Sequence, residues 1–225
     1  MEGFGYPGKE SLPKRMKVIP ISDPIAGLSS QSRSQIQQLL GGDQVLVYPT
    51  DTLYGIGVDA CSDKAVAELY RLKARESSPV SVLLESTVQL LDVTEGLTEL
   101  ARELITQFLP GPLTVICHSA YPFAQKLISP QGTVGFRVPG DQISRQIPKL
   151  YGGPITTTSV NPAGEAPACS RVEVVEYYED QIALMLDIGE LKPSKGSTVI
   201  DLTTRPFKML REGEISRHTL LKYLN

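Results

Sequence analysis

The sequence has no tryptophan, only two histidines and only three cysteines among its 225 residues. Cys61, Cys117 and Cys169 are odd in number, far apart and without a Cys-x-x-Cys pair. This pattern excludes a disulfide framework and a zinc ribbon, and it is typical of a reducing compartment. The histidines, His118 and His218, stand in unrelated contexts, so a metal site built from His and Cys is not expected.

Long apolar runs are also missing. No segment approaches the ~20 apolar residues that a membrane-spanning helix needs, and residues 1–16 lack the continuous apolar stretch of a signal peptide. We therefore predict a cytoplasmic protein without membrane contact, with a flexible leader over 1–16 and one domain over 17–225. The formal charge of −3 disfavours a dedicated nucleic-acid coat and leaves open one locally basic face.

The usual nucleotide-binding and hydrolase motifs are absent. There is no G-x-x-x-x-G-K-[ST] loop, no G-x-G-x-x-G after a strand and no G-x-S-x-G elbow. An enzyme with this sequence would work by positioning charges rather than by using a histidine base.

Helical and strand patterns alternate from about residue 31 to residue 224, which predicts a single α/β domain. Its sheet should be large, open and mixed, with helices on its faces. Helices are predicted at 32–40, 62–75, 98–109, 141–151, 171–180 and 215–224. Strands are predicted at 45–50, 80–84, 113–118, 133–138, 154–160, 183–188, 197–202 and 207–210. Ligands are expected at the loops that follow the strands.

Four polar features stand out against this pattern. The segments 48–55 (YPTDTLYG) and 156–164 (TTTSVNPAG) are either turns with local side-chain caps or parts of a polar substrate cradle. Lys73 and Arg75 end a predicted helix, where they either complement its dipole or bind phosphate. Arg137 interrupts an apolar strand on the face opposite the apolar residues, so it needs a buried anion or a pocket mouth.

Seven segments in order resemble the Sua5/YciO/YrdC family of threonylcarbamoyl-adenylate synthases over about residues 31–220. They are YPTDTLYGIGVDA (48–60), RLKAR (71–75), LPGPLTVI (109–116), TVGFRVPG (133–140), PITTTSVNPAGE (154–165), GSTVIDL (196–202) and MLREGEIS (209–216). Lys73-x-Arg75 with Ser159-x-Asn161 matches the family's signature pair of motifs. The chain resembles the short, single-domain form.

The resemblance implies a YrdC-like open twisted sheet around a deep central cavity. It implies synthesis of L-threonylcarbamoyladenylate from L-threonine, bicarbonate or CO2, and ATP, with release of pyrophosphate. Mg²⁺ would accompany ATP, held mostly by phosphate oxygens and water rather than by a protein metal site. A separate transferase complex would then use the product to build t6A at position 37 of ANN-decoding tRNAs.

The same resemblance implies roles for individual residues. The signature positions Lys73, Arg75, Ser159 and Asn161 would be catalytic. The residues around L-threonine would be Thr50, Arg137, Thr157 and Ser197. The residues that hold ATP would be Lys73, Arg75, Ser78, Thr133, Ser159, Asn161 and Arg211.

The sequence departs from the family pattern near the first signature motif. Glu76 stands where many members have proline, one residue is missing before Pro79, and Leu83 stands where some members have histidine. These departures leave an alternative: a divergent paralogue that binds double-stranded RNA or tRNA without synthase activity.

Overall fold

The structure is a computed structural model that describes residues 16–23, 27–74, 79–178 and 181–224. The strands are β1 (Lys17–Pro20), β2 (Leu46–Tyr48), β3 (Gly55–Gly57), β4 (Ser81–Leu83), β5 (Leu113–His118), β6 (Thr133–Arg137), β7 (Ile155–Ser159), β8 (Leu184–Asp187), β9 (Thr198–Asp201) and β10 (Lys208–Arg211). The α-helices are α1 (Ser30–Gly41), α2 (Asp63–Leu72), α3 (Thr87–Val93), α4 (Glu99–Phe108), α5 (Gln142–Tyr151), α6 (Arg171–Tyr178) and α7 (Leu221–Leu224). The predicted leader falls almost entirely outside the described residues.

The strands form one open sheet in the order β1-β8-β2-β3-β7-β4-β6-β5-β9-β10. The pairs β1–β8, β8–β2, β4–β6 and β5–β9 are parallel. The other neighbours are antiparallel. The prediction of an open, mixed α/β sheet is confirmed.

Two apolar cores cover the sheet, and in β2 the two-residue period divides the side chains between them. Val45 and Val47 belong to the larger core. Leu46 and Tyr48 belong to the smaller core, which also includes apolar residues of α1 and α5. Every residue of β2 is buried because apolar groups meet it from both sides.

Helix starts follow the capping pattern of the sequence. Ser62, the first residue of the helix predicted at 62–75, caps α2 and accepts a hydrogen bond from the Ala65 N–H at 3.1 Å. Asp141 caps α5 through the Ser144 N–H at 2.8 Å. These oxygens satisfy N–H groups that have no partner within the helix.

The sequence analysis missed β1, β3 and α3. Strand β3 contains two glycines, which weaken a strand pattern. Gly57 is needed there because a Cβ atom would lie 2.2 Å from the Thr156 carbonyl oxygen of the paired strand β7. The predicted closing helix over 215–224 was wrong in extent, since a 3₁₀ turn (His218–Leu220) precedes the single turn of α7. Among the described residues, no helix has the length and apolar character to cross a membrane.

Candidate active site

A central cavity of about 910 Å³ opens on the sheet. This volume is within the ~300–1,000 Å³ of small-molecule pockets. The cavity lining contains seven predicted site residues: Thr50, Thr133, Arg137, Thr157, Ser159, Ser197 and Arg211. The sequence segments that carry them are therefore brought together as predicted.

Strand periodicity explains why polar groups face this cavity. In β6, Val134 and Phe136 point into the larger core. Thr133, Gly135 and Arg137 alternate with them and line the cavity. The predicted orientation of Arg137 is confirmed.

Arg137 is 8% exposed and is held by a neighbouring turn. Its Nη2 donates to Asp51 Oδ1 at 2.7 Å and lies 3.5 Å from Thr52 Oγ1. Its Nε is buried and has no hydrogen-bond partner within the described part of the chain. A buried donor in this state favours an acceptor from a ligand.

Arg211 joins the cavity wall through Ser197. Its Nε and Nη2 donate to the Ser197 carbonyl at 3.1 and 2.8 Å, and Nη2 also reaches Ser197 Oγ at 3.1 Å. Ser197 Oγ lies 2.8 Å from Thr114 Oγ1 of β5. Burial and the positive charge of Arg137 lower the pKa of Arg211. Both guanidinium groups line the same cavity, and two cations in one cavity favour an anionic ligand.

A close backbone contact fixes this wall. A Cβ atom at Gly213 would lie 2.3 Å from the Gly196 carbonyl oxygen, so only glycine allows the two segments to approach. The Glu214 N–H donates to the same carbonyl at 2.9 Å. The GSTVIDL and MLREGEIS segments thus meet beside Ser197.

The two signature motifs also meet. Lys73 is 1% exposed at the end of α2, and its ammonium group donates to the Ser159 carbonyl at the end of β7. Ser159 Oγ donates to Asn161 Oδ1 at 2.6 Å, and Asn161 Nδ2 donates to the carbonyls of Pro162 and Glu165 at 3.0 and 2.8 Å. Arg75 and Ser78 lie outside the described residues, as does most of the shortened 76–79 segment.

The predicted threonine residues of the site differ in their hydrogen-bond partners and positions. Thr50 Oγ1 donates to the Leu53 carbonyl at 2.6 Å and accepts from the Thr52 and Leu53 N–H groups at 3.2 Å. This hydroxyl organises the turn, while the residue still lines the cavity. Thr133 Oγ1 lies 2.7 Å from Ser129 Oγ. Thr157 is buried on β7, level with Ser81 of β4.

Sequence reasoning missed several polar residues of this region. Thr114, Lys126 and Lys195 line the cavity, and Asp51 bonds to Arg137. Thr114 alternates with core residues of β5, a signal that could have found it. Lys126 lies in a short 3₁₀ turn (Gln125–Leu127) and Lys195 in a loop, where no periodicity shows which way a side chain faces.

The described residues contain no group of three or more His, Cys, Asp or Glu side chains arranged to hold a metal ion. Lys73, Arg137 and Arg211 supply positive charge at or beside the cavity instead. The arrangement suits an anionic ligand whose binding depends on cations and hydroxyl groups.

A family model described as "Telomere recombination", for Sua5, YciO and YrdC proteins, matches residues 38–213. The chain belongs to the Sua5/YciO/YrdC family. It is 34% identical over 182 residues to a putative threonylcarbamoyl-AMP synthase of Mycobacterium tuberculosis, covering 80% of this chain and 83% of the relative. It is 30% identical to the human threonylcarbamoyl-AMP synthase, covering 90% of this chain and 74% of that protein.

Solved structures agree with this assignment. Pyrococcus abyssi Sua5 complexed with L-threonine superposes with a TM-score of 0.84 at 25% identity, covering 94% of this chain. The chain spans 61% of the length of that Sua5 chain. Escherichia coli YciO shares the fold, with a TM-score of 0.78 over 89% of this chain and 96% of its own. The names of the curated relatives do not favour the RNA-binding alternative without synthase activity.

Proposed function

We propose that this protein is an L-threonylcarbamoyladenylate synthase, a nucleotidyltransferase that uses L-threonine, bicarbonate or CO2, and ATP. The observation that carries the proposal is the pair of guanidinium groups, Arg137 and Arg211, that line one cavity beside the Lys73–Ser159 contact. The reaction must bring together an amino acid carboxylate, a carbamate and a triphosphate. Cations fixed in advance offset the repulsion among these anions.

The chemistry has two steps. The threonine amine forms a carbamate, either by adding to CO2 with loss of a proton or by reacting with bicarbonate with loss of water. A carbamate oxygen then attacks the α-phosphorus of ATP. The bond to the β-phosphate oxygen breaks, and pyrophosphate leaves with that electron pair. In this proposal, Arg137 binds the threonine carboxylate, with Thr50, Thr157 and Ser197 around the amino acid.

The other proposed site residues would bind the nucleotide. Arg211, Thr133 and the signature residues Lys73, Ser159 and Asn161 would hold ATP, together with Arg75 and Ser78. Mg²⁺ enters as part of the MgATP substrate. The proposal places it on phosphate oxygens and water, since the described carboxylates offer no ready-made metal cluster.

Product use and compartment belong to the same proposal. The labile adenylate would pass to a transferase complex that forms t6A on tRNA. We place the reaction in the cytoplasm, a reducing compartment that suits the three free cysteines of the described chain.

The decisive experiment follows pyrophosphate and threonylcarbamoyl-AMP from purified protein with MgATP, L-threonine and bicarbonate. Pyrophosphate release should require threonine and should be much lower with valine, since a site that hydrogen-bonds a substrate hydroxyl rejects an analogue lacking it. Arg137→Lys should lower threonine affinity by about 30- to 1000-fold, because lysine loses the planar fork.

The matched control is Arg71→Gln. Arg71 lies in the last turn of α2, just before Lys73, but it is exposed and forms an ion pair with Glu68, so its loss should leave the rate unchanged. Pyrophosphate release that does not depend on threonine would contradict the proposal.

A further inference from the structure

Asp51 connects the turn between β2 and β3 to the end of β6 and the loop after it. Its Oδ1 accepts from Arg137 Nη2 at 2.7 Å, and its Oδ2 accepts from the Gly140 N–H at 2.7 Å. The Arg137 and Asp51 side chains are only 10% and 14% exposed. Both carboxylate oxygens therefore have fixed donors.

This arrangement fixes the direction of a second donor on the same guanidinium group. The guanidinium is planar, so holding Nη2 also sets the direction in which the Nε–H bond points. That Nε is buried and has no hydrogen-bond partner in the described residues, while Arg137 itself lines the cavity. Asp51 is not among the cavity-lining residues.

Asp141, the other carboxylate that faces Arg137, does not take this role. It interacts with the Arg137 charge only through space. Its own oxygens accept from the N–H and hydroxyl of Ser144 at the start of α5. Arg211 also lies near enough to Arg137 to interact with its charge, and as a cation it accepts no hydrogen bond.

We propose that Asp51 is a positioning residue that orients Arg137 so that its Nε–H meets the carboxylate of the amino acid substrate. This inference rests on the proposed function. Asp51 acts through Arg137 and does not touch the substrate. It sets how well threonine binds, and it has no part in holding ATP.

Asp51→Asn tests the proposal with little change in size. The amide oxygen can accept from Arg137 or from Gly140, but the amide nitrogen then faces the other donor. The KM for threonine should rise by about 10- to 100-fold, because small errors in orientation are costly. The Kd for ATP measured without threonine should change less than about twofold.

Asp59→Asn is the matched control. Asp59 also connects two segments, since it accepts from the Cys61 N–H at 2.8 Å and the Tyr151 hydroxyl at 2.9 Å. It is not among the cavity-lining residues. Asp59→Asn should lower the stability of the fold about as much as Asp51→Asn does, and it should leave the KM for threonine unchanged. An unchanged threonine KM in folded Asp51→Asn would mean that Asp51 only ties the loop, and would overturn the proposal.

A measurement on the wild-type protein covers the case in which Asp51→Asn does not fold. The Nε–H resonance of Arg137, assigned by its loss in Arg137→Lys, should shift when threonine is added. Threonine binding by calorimetry without such a shift would overturn the positioning role while leaving the proposed function intact. No threonine binding and no adenylate formation would overturn the proposed function itself.

Discussion

The ammonium group of Lys73 donates to the backbone carbonyl of Ser159, so the two signature motifs are joined by a direct hydrogen bond. The bond connects the end of α2 to the end of β7. The residue after Ser159 is fully buried, and Lys73 is almost fully buried. Lys73 therefore has two roles: it holds the end of β7 in place, and it supplies a positive charge beside the cavity.

Lys73→Met should separate these two roles. Methionine keeps the length and apolar stem of lysine but removes the charge and the donor. We expect adenylate formation to fall by about 100-fold or more, and the free energy of unfolding to fall by about 1–3 kcal/mol, because the Ser159 carbonyl loses a buried partner. Pyrophosphate release and urea denaturation measure the two effects. A folded Lys73→Met enzyme with the wild-type rate would remove Lys73 from the catalytic set.

MgATP should protect the protein against thermal unfolding, and Arg211 should be required for this. A ligand present at about 100 times its Kd stabilises the folded state by about 2.7 kcal/mol. In Arg211→Ala the protection should largely disappear, while Arg102→Ala, an exposed arginine on α4, should keep it. Differential scanning calorimetry with and without MgATP makes the comparison. Equal protection in both variants would place the nucleotide elsewhere.

Replacing Ala74 with glycine should make the fold more stable. It follows Lys73 with a φ of 48°, in the left-handed region that costs an alanine about 1 kcal/mol relative to glycine. Ala74→Gly should therefore raise the urea midpoint. Asp43→Gly is the contrasting variant: Asp43 has a φ of 59°, but its carboxylate binds Ser62 and Lys64, so the same substitution should bring no gain. A lower urea midpoint for Ala74→Gly would show that the relief of strain does not control stability here.

Glu173→Gln should change the acid sensitivity of the fold. The Cys169 N–H, together with the N–H and hydroxyl of Ser170, holds the pKa of Glu173 below its usual range. A lowered pKa contributes stability that is fully present above the ordinary value near 4.5 and is lost as the pH falls through the folded-state pKa. The free energy of unfolding of the wild type should exceed that of the variant by about 1 kcal/mol at pH 7. The difference should shrink as the pH falls below the ordinary value near 4.5 in denaturant titrations, and a difference independent of pH would contradict the assignment.

Most of the fold was predictable because apolar periodicity is strong where elements face a core. Strand β5 was predicted with its observed bounds, since Leu113, Val115 and Cys117 alternate cleanly. Strand β3 was not predictable, because Gly55 and Gly57 have no side chains to show a pattern. Their role depends on the Tyr48 ring and the Thr156 carbonyl of neighbouring strands, and these contacts arise only when the strands pair.

A site residue was predictable where its chemistry differs sharply from that of its neighbours in the sequence. Arg137 stands out because a charge within an apolar strand needs a partner. Asp51 does not stand out, because an aspartate in a turn is ordinary and its bonds to Arg137 and Gly140 depend on tertiary structure. The depth of Lys73 was hidden for the same reason, since lysine at a helix end is usually exposed.

The order in which the sheet is assembled has a consequence for synthesis on the ribosome. Strand β9 pairs with β5 in parallel, and β10 covers β9 at the sheet edge. Ser197 and Arg211 come from this late part of the chain, so a nascent chain has no complete substrate cavity until β10 has left the exit tunnel. Such long-range pairing is slow. Until it forms, the β5 edge remains open to other strands, and pulse-labelled nascent chains should be most sensitive to protease and chaperone capture in that interval.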